Sequence, residues 1–322
     1  MHVLGANLAL DRTLRLARLV PGHVQRPESV VVTGGGKSVN VLRAARAHGV
    51  RGTLVANLPG RTGSYLASLL EDEGHDVVPV PTRGEARCAM ILLEAGGRVT
   101  VINEPGPELS ASDADALLGA LDVSLAGAGS STGPRVLVAS GSLPPGADVG
   151  TYASVVGIGH RHGFITVVDT AGAALAGALP ARPDVVSPNL AEAEAVLSGH
   201  TDESVEPEGD DVRDRALDAA MRLRAWGTRA ALVSAGRHGL AGADAAGAFW
   251  LSAPSVPEVN PVGAGDALVG GLAVALEQGA QLRDAAAVGV ATAAASVAHP
   301  LAGGVERSVL ARLLGTLRWE AA

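Results

Sequence analysis

Short aliphatic and β-branched runs recur along this chain with helical stretches between them, and that alternation constrains the fold more than any other feature. Thr53-Leu-Val-Ala-Asn-Leu58 and Arg135-Val-Leu-Val-Ala-Ser140 read as strands, followed by helices over about 64–73 and 148–162. Phe164-Ile-Thr-Val-Val-Asp169 and Asp184-Val-Val-Ser187 come next, each leading into an Ala-rich helix. Ala230-Ala-Leu-Val-Ser234 follows a long helix, Val212 to Trp226. Strands that are apolar almost throughout are buried on both faces, the situation of a parallel sheet covered by helices on each side. The expected class is therefore α/β. The last third, over about 265–277, 282–298 and 308–319, reads as mostly helical. At 322 residues the chain is long enough for one large α/β domain, or two of ~150 residues, without disulfide or metal staples.

Two segments break the rhythm. Residues 12–38 and 84–104 read as strands and turns with little helix: Ser29-Val-Val-Val-Thr33, Cys88-Ala-Met-Ile-Leu-Leu-Glu94 and Arg98-Val-Thr-Val-Ile102. Gly96-Gly97 joins the last two as a hairpin. These strands either extend the edge of the main sheet or form a small sheet of their own above it. Residues 200–216 carry seven acids and no core pattern, as a solvated loop would.

Composition removes several classes of function. Lys plus Arg is 25 against 33 Asp plus Glu, a net charge of −8, and the chain has few aromatics (Trp 3, Tyr 2, Phe 2). Nucleic-acid binding needs a basic footprint and stacking platforms, and both are missing. The single cysteine, Cys88, excludes an internal disulfide and any Cys-cluster metal site. The longest small-apolar stretch, Ala285–Ala298, is 14 residues, where a membrane span needs ~20. The apolar run Val3–Leu10 is broken by Asp11-Arg12 and has no basic region before it, so no signal peptide is read and a cytoplasmic location is expected.

Chemistry concentrates in a few motifs. Asn260-Pro-Val-Gly263-Ala264-Gly265-Asp266-Ala267 precedes the apolar helix Leu268–Leu276. A Gly-Ala-Gly turn opening a helix offers free N–H groups to an anion, reinforced by the helix dipole. Asp266 in the first turn could take a proton from a hydroxyl attacking a phosphoryl group held there. These four residues alone are equally an ordinary turn with an aspartate cap. Gly34-Gly35-Gly36-Lys37-Ser38 is not a P-loop, because GxxxxGK[ST] needs glycine where Val31 stands. What remains is a glycine turn, one Lys and Asn40 opening a helix, Val41 to His48; Lys37 is a charge for a phosphate or a solvated turn residue. Gly157 and Gly159 lack the third glycine of a dinucleotide fingerprint. His160 and His162, two apart and read as exposed, do not form a metal pair. Asn189 and Glu192, three apart after a strand, could share a face and position a hydrated divalent ion, or simply cap their helix.

Taken together these motifs resemble the phosphofructokinase-B (ribokinase-like) carbohydrate kinases, and within them the 1-phosphofructokinase and tagatose-6-phosphate kinase branch. Asn7-Leu-Ala-Leu-Asp11 is similar to NPALD and Gly35-Gly36-Lys37-Ser38-Val39-Asn40-Val41 to GGKGINV. Thr100-Val-Ile-Asn103-Glu104-Pro105-Gly106-Pro107 and Ser140-Gly-Ser-Leu-Pro-Pro-Gly146 resemble segments of that branch. Pro188-Asn189-x-x-Glu192 resembles NxxE, and Val262-Gly-Ala-Gly-Asp266 the second family signature. The resemblance implies a three-layer αβα sandwich with a mostly parallel sheet and a small β lid, the lid being 12–38 and 84–104 and the core 1–11, 39–83 and 105–322. It implies Asp266 as general base and Gly263, Ala264 and Gly265 as anion hole. Asn189 and Glu192 would organise Mg²⁺ through water near the phosphates of ATP, with Ser234, Gly236 and Gly239 on the nucleotide side. Asp11 and Asn40 would bind sugar hydroxyls, Gly35 and Gly36 would be the lid hinge, and Lys37 and Arg87 would meet a phosphate on the sugar. The implied activity is ATP-dependent phosphorylation of a phosphorylated ketohexose, fructose 1-phosphate or tagatose 6-phosphate. The alternatives are a kinase of an unphosphorylated sugar or nucleoside and a sugar-phosphate-binding protein with little turnover. A homodimer is one assembly the resemblance allows. Three residues depart from the pattern: Leu8 for proline, Ser38 for glycine, expected to put a side chain beside the sugar, and Ser187 for the lysine before Pro-Asn.

Overall fold

The computed structural model describes residues 1–129, 133–199 and 209–322. The chain opens with β1 (His2–Gly5), β2 (Ala9–Leu16) and β3 (Ser29–Gly35), then α1 (Lys37–Ala47), β4 (Thr53–Asn57), α2 (Gly60–Asp72) and β5 (Asp76–Val80). A hairpin, β6 (Arg87–Glu94) and β7 (Val99–Asn103), leads to α3 (Ala111–Gly127), β8 (Val136–Ser140), α4 (Thr151–Arg161) and β9 (Ile165–Asp169). Next come α5 (Gly172–Ala178), β10 (Val185–Val186), α6 (Leu190–Ser198), α7 (Val212–Ala225) and β11 (Ala230–Ser234). The remainder is β12 (Gly239–Asp244), β13 (Gly247–Ser252), α8 (Ala264–Glu277), α9 (Leu282–Val297), α10 (Arg307–Leu313) and β14 (Glu320–Ala321).

Among the described residues ten strands form the large sheet, in the order β14-β13-β12-β11-β10-β9-β8-β1-β4-β5. From β11 to β5 every neighbouring pair is parallel, while β12, β13 and β14 add an antiparallel edge. Helices cover both faces, as the apolar strands required. On one side Leu117, Leu121, Tyr152, Leu175 and Leu223 of α3, α4, α5 and α7 pack on the sheet; on the other Leu42, Leu66, Leu70, Leu272 and Ala285 of α1, α2, α8 and α9 do. The remaining four strands form a separate sheet, β3-β2-β6-β7, with β2 parallel to β6 and antiparallel to β3. The two strand-rich excursions thus pair with each other, and Gly96 and Gly97 close the β6–β7 hairpin.

Helix α8 is buried from Asp266 to Leu276, so it is apolar all round. Its contacts with α1 and α9 depend on Gly270 and Gly271: a Cβ on the first would lie 2.6 Å from Ala44 Cβ, and one on the second 2.2 Å from Thr292 Oγ1. Several boundaries differ from the sequence reading. Helix α1 begins at Lys37 rather than Val41, because Gly36 at φ 104° turns the chain and the amides of Val39 and Asn40 bond back to its carbonyl. Helix α10 stops at Leu313, as Gly315 takes φ 75° and the chain turns out to β14. Of the acidic stretch, residues 200–208 lie outside the described residues, and from Val212 on it is already the first turn of α7.

Candidate active site

The chemistry-bearing residues gather where parallel strands end, the usual place for ligands in such sheets. Ser140 closes β8, Asp169 closes β9, Asn189 follows β10 and Ser234 closes β11. Asn189 and Ser234 are bridged through the backbone, so the acidic helix start and the next strand end form one ledge. Gly236 opens a tight turn beyond it at φ 55°, and Gly239 at φ 143° lets the chain pass over Leu251, whose carbonyl would lie 2.2 Å from a Cβ there.

Opposite this ledge stands the N-terminus of α8. Gly263, at φ 87°, breaks the chain direction, and the Ala264 amide turns back to the Pro261 carbonyl at 3.2 Å. Of the three amides expected to form an anion hole, that of Ala264 is thereby taken, while the amides of Gly265 and Asp266 stay among the free donors at the start of the helix. The space before them is open, since a Cβ on Gly265 would meet no atom within 4 Å. Asp266 is only 5% exposed, and Asn40 Nδ2 donates to its Oδ2 at 2.8 Å. Burial raises the Asp266 pKa; Lys37 and the Asn40 hydrogen bond pull it down, while Asp169 and Glu192 add to the rise.

Lys37 lies in this centre rather than on the small sheet. Its Nζ is 3.2 Å from Asp169 Oδ1 and 3.5 Å from Glu192 Oε1. Desolvation alone would lower its pKa, but Asp169, Glu192 and Asp266 together raise it, so it is held as a cation. The other Asp169 oxygen accepts from Ser140 Oγ at 2.8 Å. Asn189 and Glu192 form a reciprocal capping box: Asn189 Oδ1 accepts from the Glu192 amide at 2.8 Å and Glu192 Oε2 from the Asn189 amide at 2.9 Å. Burial raises the Glu192 pKa, with Lys37 opposing. The capping reading holds, and the second carboxylate oxygen of Glu192 faces Lys37. Among the described residues no cluster of three or more His, Cys, Asp or Glu is arranged to hold a bare metal ion. His160 and His162 are half-buried rather than exposed, on Asp184 and Asp122 respectively.

The small sheet faces the same region. Asp11 on β2 is 8% exposed, and burial raises its pKa to about 6 against the pull of Arg43 and Arg87. Gly35 must be glycine here, because a Cβ would sit 2.0 Å from the Asp11 carboxyl carbon. Arg87, beginning β6, donates through Nε to the Asn7 carbonyl at 3.1 Å and through Nη1 to that of Glu104 at 3.2 Å. Asp11 lines a cavity of about 180 Å³ with Thr13, Thr33, Arg43, Glu73 and His299. The sequence reading missed Arg43, which donates to Asn40 Oδ1 at 3.2 Å and to both Glu73 oxygens at 2.8 and 2.6 Å. It sits one helical turn after Asn40, and that spacing is the signal that could have found it. Asp169 and His299 were also missed; no motif marks them. Ser38 does not stand beside a ligand: its Oγ is buried, 2.9 Å from the Leu4 carbonyl and 2.6 Å from that of Ser140, tying α1 to β1 and β8. Ser187 is buried at the end of β10 and brings no charge, which leaves Lys37 as the cation facing Asp169.

Known proteins resemble this chain along most of its length. A family model described as pfkB family carbohydrate kinase matches residues 6–307. The chain is 30% identical over 290 residues to ATP-dependent 6-phosphofructokinase isozyme 2 of Escherichia coli K12, covering 89% of each chain. It is 33% identical over 291 residues to 1-phosphofructokinase of Rhodobacter capsulatus, covering 88% of this chain and 86% of that one. The crystal structure of phosphofructokinase-2 from Escherichia coli in complex with potassium superposes with a TM-score of 0.85 at 26% identity, over 98% of both chains. The ribokinase-like αβα sandwich and small sheet expected from the motifs are therefore present, and the chain belongs to the pfkB family of carbohydrate kinases, phosphotransferases that use ATP with Mg²⁺ and an alcohol acceptor.

Proposed function

We propose that this chain transfers the γ-phosphoryl group of ATP to a hydroxyl of a phosphorylated ketohexose, fructose 1-phosphate before tagatose 6-phosphate, giving fructose 1,6-bisphosphate in the first case. The observation that carries the reading is a buried carboxylate, Asp266, at a helix N-terminus with open space before it. The acceptor hydroxyl gives its proton to Asp266, its oxygen attacks the γ-phosphorus, and the bond to the β–γ bridging oxygen breaks to release ADP. A raised pKa suits that base, because proton transfer is most efficient when the pKa lies near the working pH. The Gly265 and Asp266 amides receive the charge on the transferring group. Asn40 fixes the base by one oxygen, leaving Oδ1 for the hydroxyl.

Three carboxylates (Asp169, Glu192, Asp266) against one ammonium leave the centre short of positive charge, which fits a nucleotide that arrives with Mg²⁺. Asn189 and Glu192 satisfy each other, so they would hold the ion through its waters; its chemistry is to neutralise the polyphosphate. Ser234, Gly236 and Gly239 shape the nucleotide side. The four-stranded sheet acts as the lid, close to the 12–38 and 84–104 expected except that Ala9–Asp11 belong to β2 and Lys37–Ser38 to the core helix α1, with Gly35 and Gly36 as hinge. Asp11 and Asn40 bind sugar hydroxyls. Of the two cations read as sugar-phosphate ligands, Lys37 is committed to Asp169 and Glu192, so Arg87 takes that role.

Relatives named 1-phosphofructokinase at 33% identity support this substrate class. A coupled ADP-release assay over fructose 1-phosphate, fructose 6-phosphate, tagatose 6-phosphate, fructose and ribose tests it. One charge-assisted bond is worth ~1.5–3 kcal/mol, so a sugar phosphate should exceed free fructose in kcat/KM by at least about tenfold. Arg87→Ala should narrow that gap by weakening the phosphorylated substrate. Equal turnover of free fructose or ribose would refute the substrate class and leave the kinase assignment standing.

A further inference from the structure

A second cavity, of about 420 Å³, shares Arg43, Glu73 and Gly304 with the sugar cavity and nothing else of its lining. Its charged walls are Arg43 and Arg46 from α1, Asp72 and Glu73 at the end of α2, His75 just beyond, and Arg307 opening α10. Glu73 is not available to a cation, because both its oxygens accept from Arg43, and its pKa is lowered to about 2: the adjacent His75 and the Arg43 bonds outweigh desolvation. With that pair neutralised, Arg46 and Arg307 outnumber Asp72, and the cleft carries net positive charge. Both arginines are exposed, and among the described residues neither makes a side-chain hydrogen bond or ion pair. His75 adds an independent sign. Its side chain is 5% exposed, and its buried Nε2 lies 3.4 Å from Glu73 Oε2, close enough to feel that charge but without the geometry of a hydrogen bond. A buried ring nitrogen left unpaired calls for a ligand or an ordered water.

We infer that this cleft is a binding site for a phosphate-bearing small anion, distinct from the sugar and nucleotide sites. Guanidinium forks match phosphate oxygens in pairs, and the His75 ring forms part of the same wall. The cleft is open to solvent through Arg46 and Arg307, while the Arg43–Glu73 pair stands between it and the sugar cavity. Lys37, Asn40, Asp169, Glu192 and Asp266 do not line the cleft, although Gly303 and Arg43 at its inner edge touch Asn40. A phosphate there would replace the missing counter-charge of Arg46 and Arg307.

Calorimetric titration tests this with inorganic phosphate as the probe and the enzyme held saturated with a non-hydrolysable MgATP analogue and its preferred sugar phosphate, so that the sugar, nucleotide and γ-phosphoryl positions are all filled. Wild-type enzyme should then bind one phosphate per chain. Arg46→Ala combined with Arg307→Ala should weaken that binding at least tenfold, and Arg46→Glu alone should abolish it. Both variants should keep wild-type kcat and KM in phosphate-free buffer, since neither side chain touches the substrate sites. No saturable phosphate binding by the filled wild-type enzyme, or undiminished binding by Arg46→Glu, overturns the assignment.

Discussion

Replacing Gly35 by alanine should impair catalysis by moving a different residue, Asp11. Gly35 does not occupy the left-handed region, so the backbone accepts alanine. The new methyl, however, would lie 2.0 Å from the Asp11 carboxyl carbon and 2.1 and 2.2 Å from its oxygens. Contact between non-bonded atoms needs about 3.5 Å, so the carboxyl must retreat by roughly 1.5 Å. It retreats into the sugar cavity of about 180 Å³, which makes the shift sterically easy and leaves the fold intact. A charge-assisted hydrogen bond to a sugar hydroxyl does not survive such a shift, and it is worth ~1.5–3 kcal/mol. At 1.36 kcal/mol per decade the loss is roughly 10–150-fold in kcat/KM for the sugar. Steady-state kinetics of Gly35→Ala, Asp11→Ala and the double variant form the assay. Because both single changes remove one interaction, the double variant should be no worse than Asp11→Ala, a non-additivity as large as the Gly35→Ala effect itself. Gly35→Ala activity above half of wild type, or losses that multiply in the double variant, would refute the reasoning.

Asp266→Asn should lower kcat by about 10²–10⁴-fold with substrate dissociation constants little changed, and a variant retaining more than about a tenth of kcat is incompatible with a general base at 266. Glu192→Gln preserves the capping box through its amide oxygen but removes the charge, so the Mg²⁺ concentration for half-activity should rise; an unchanged titration returns Glu192 to capping alone. Asp11→Asn should act on stability in a pH-dependent way. The folded pKa of about 6 lies above the ordinary 3.8, so Asp11 favours the fold below about pH 4 and that contribution is lost as the pH rises through 6. Calorimetry should therefore show the asparagine variant gaining at pH 8, by up to about 3 kcal/mol, and gaining nothing at pH 4; a gain equal at both pH values would contradict the burial argument.

The sequence was most legible where one element carries its own signal. Val136–Ser140, Ile165–Asp169 and Ala230–Ser234 are strands because their side chains suit burial on both faces, and the Gly-Ala-Gly-Asp turn opens a helix as its spacing requires. Strands with weaker signals were missed. β1 is four residues, and β12 spells Gly-Leu-Ala-Gly-Ala-Asp, where small residues are tolerated because Phe249 of β13 packs over Gly242. Helix α3 escaped notice because its buried side is narrow, Leu117, Leu121 and Leu125. The larger errors were about direction. Lys37 and Ser38 were read as facing the sugar from a loop, but a helix beginning at Lys37 swings the lysine to Asp169, 132 positions away, and the serine beneath the site. The contact between Asn40 and Asp266 spans 226 positions, and nothing local in either segment predicts its geometry.

The pairing of β2 with β6 has a consequence for how such an enzyme can change over generations. Ala9 pairs with Arg87 and Asp11 with Ala89, so two of the three residues proposed to recognise the sugar, Asp11 and Arg87, ride two rungs apart on the four-stranded sheet, while the third, Asn40, sits on α1. Asp266, Lys37, Asp169 and Glu192 belong instead to helix starts and strand ends of the ten-stranded sheet. Diet and chemistry are written largely on different pieces of chain, with Asn40 the residue they share. Substitutions on β2, β3, β6 and β7 can retune which sugar is accepted while leaving the phosphoryl-transfer apparatus untouched, so a lineage built this way can explore new substrates without passing through an inactive ancestor.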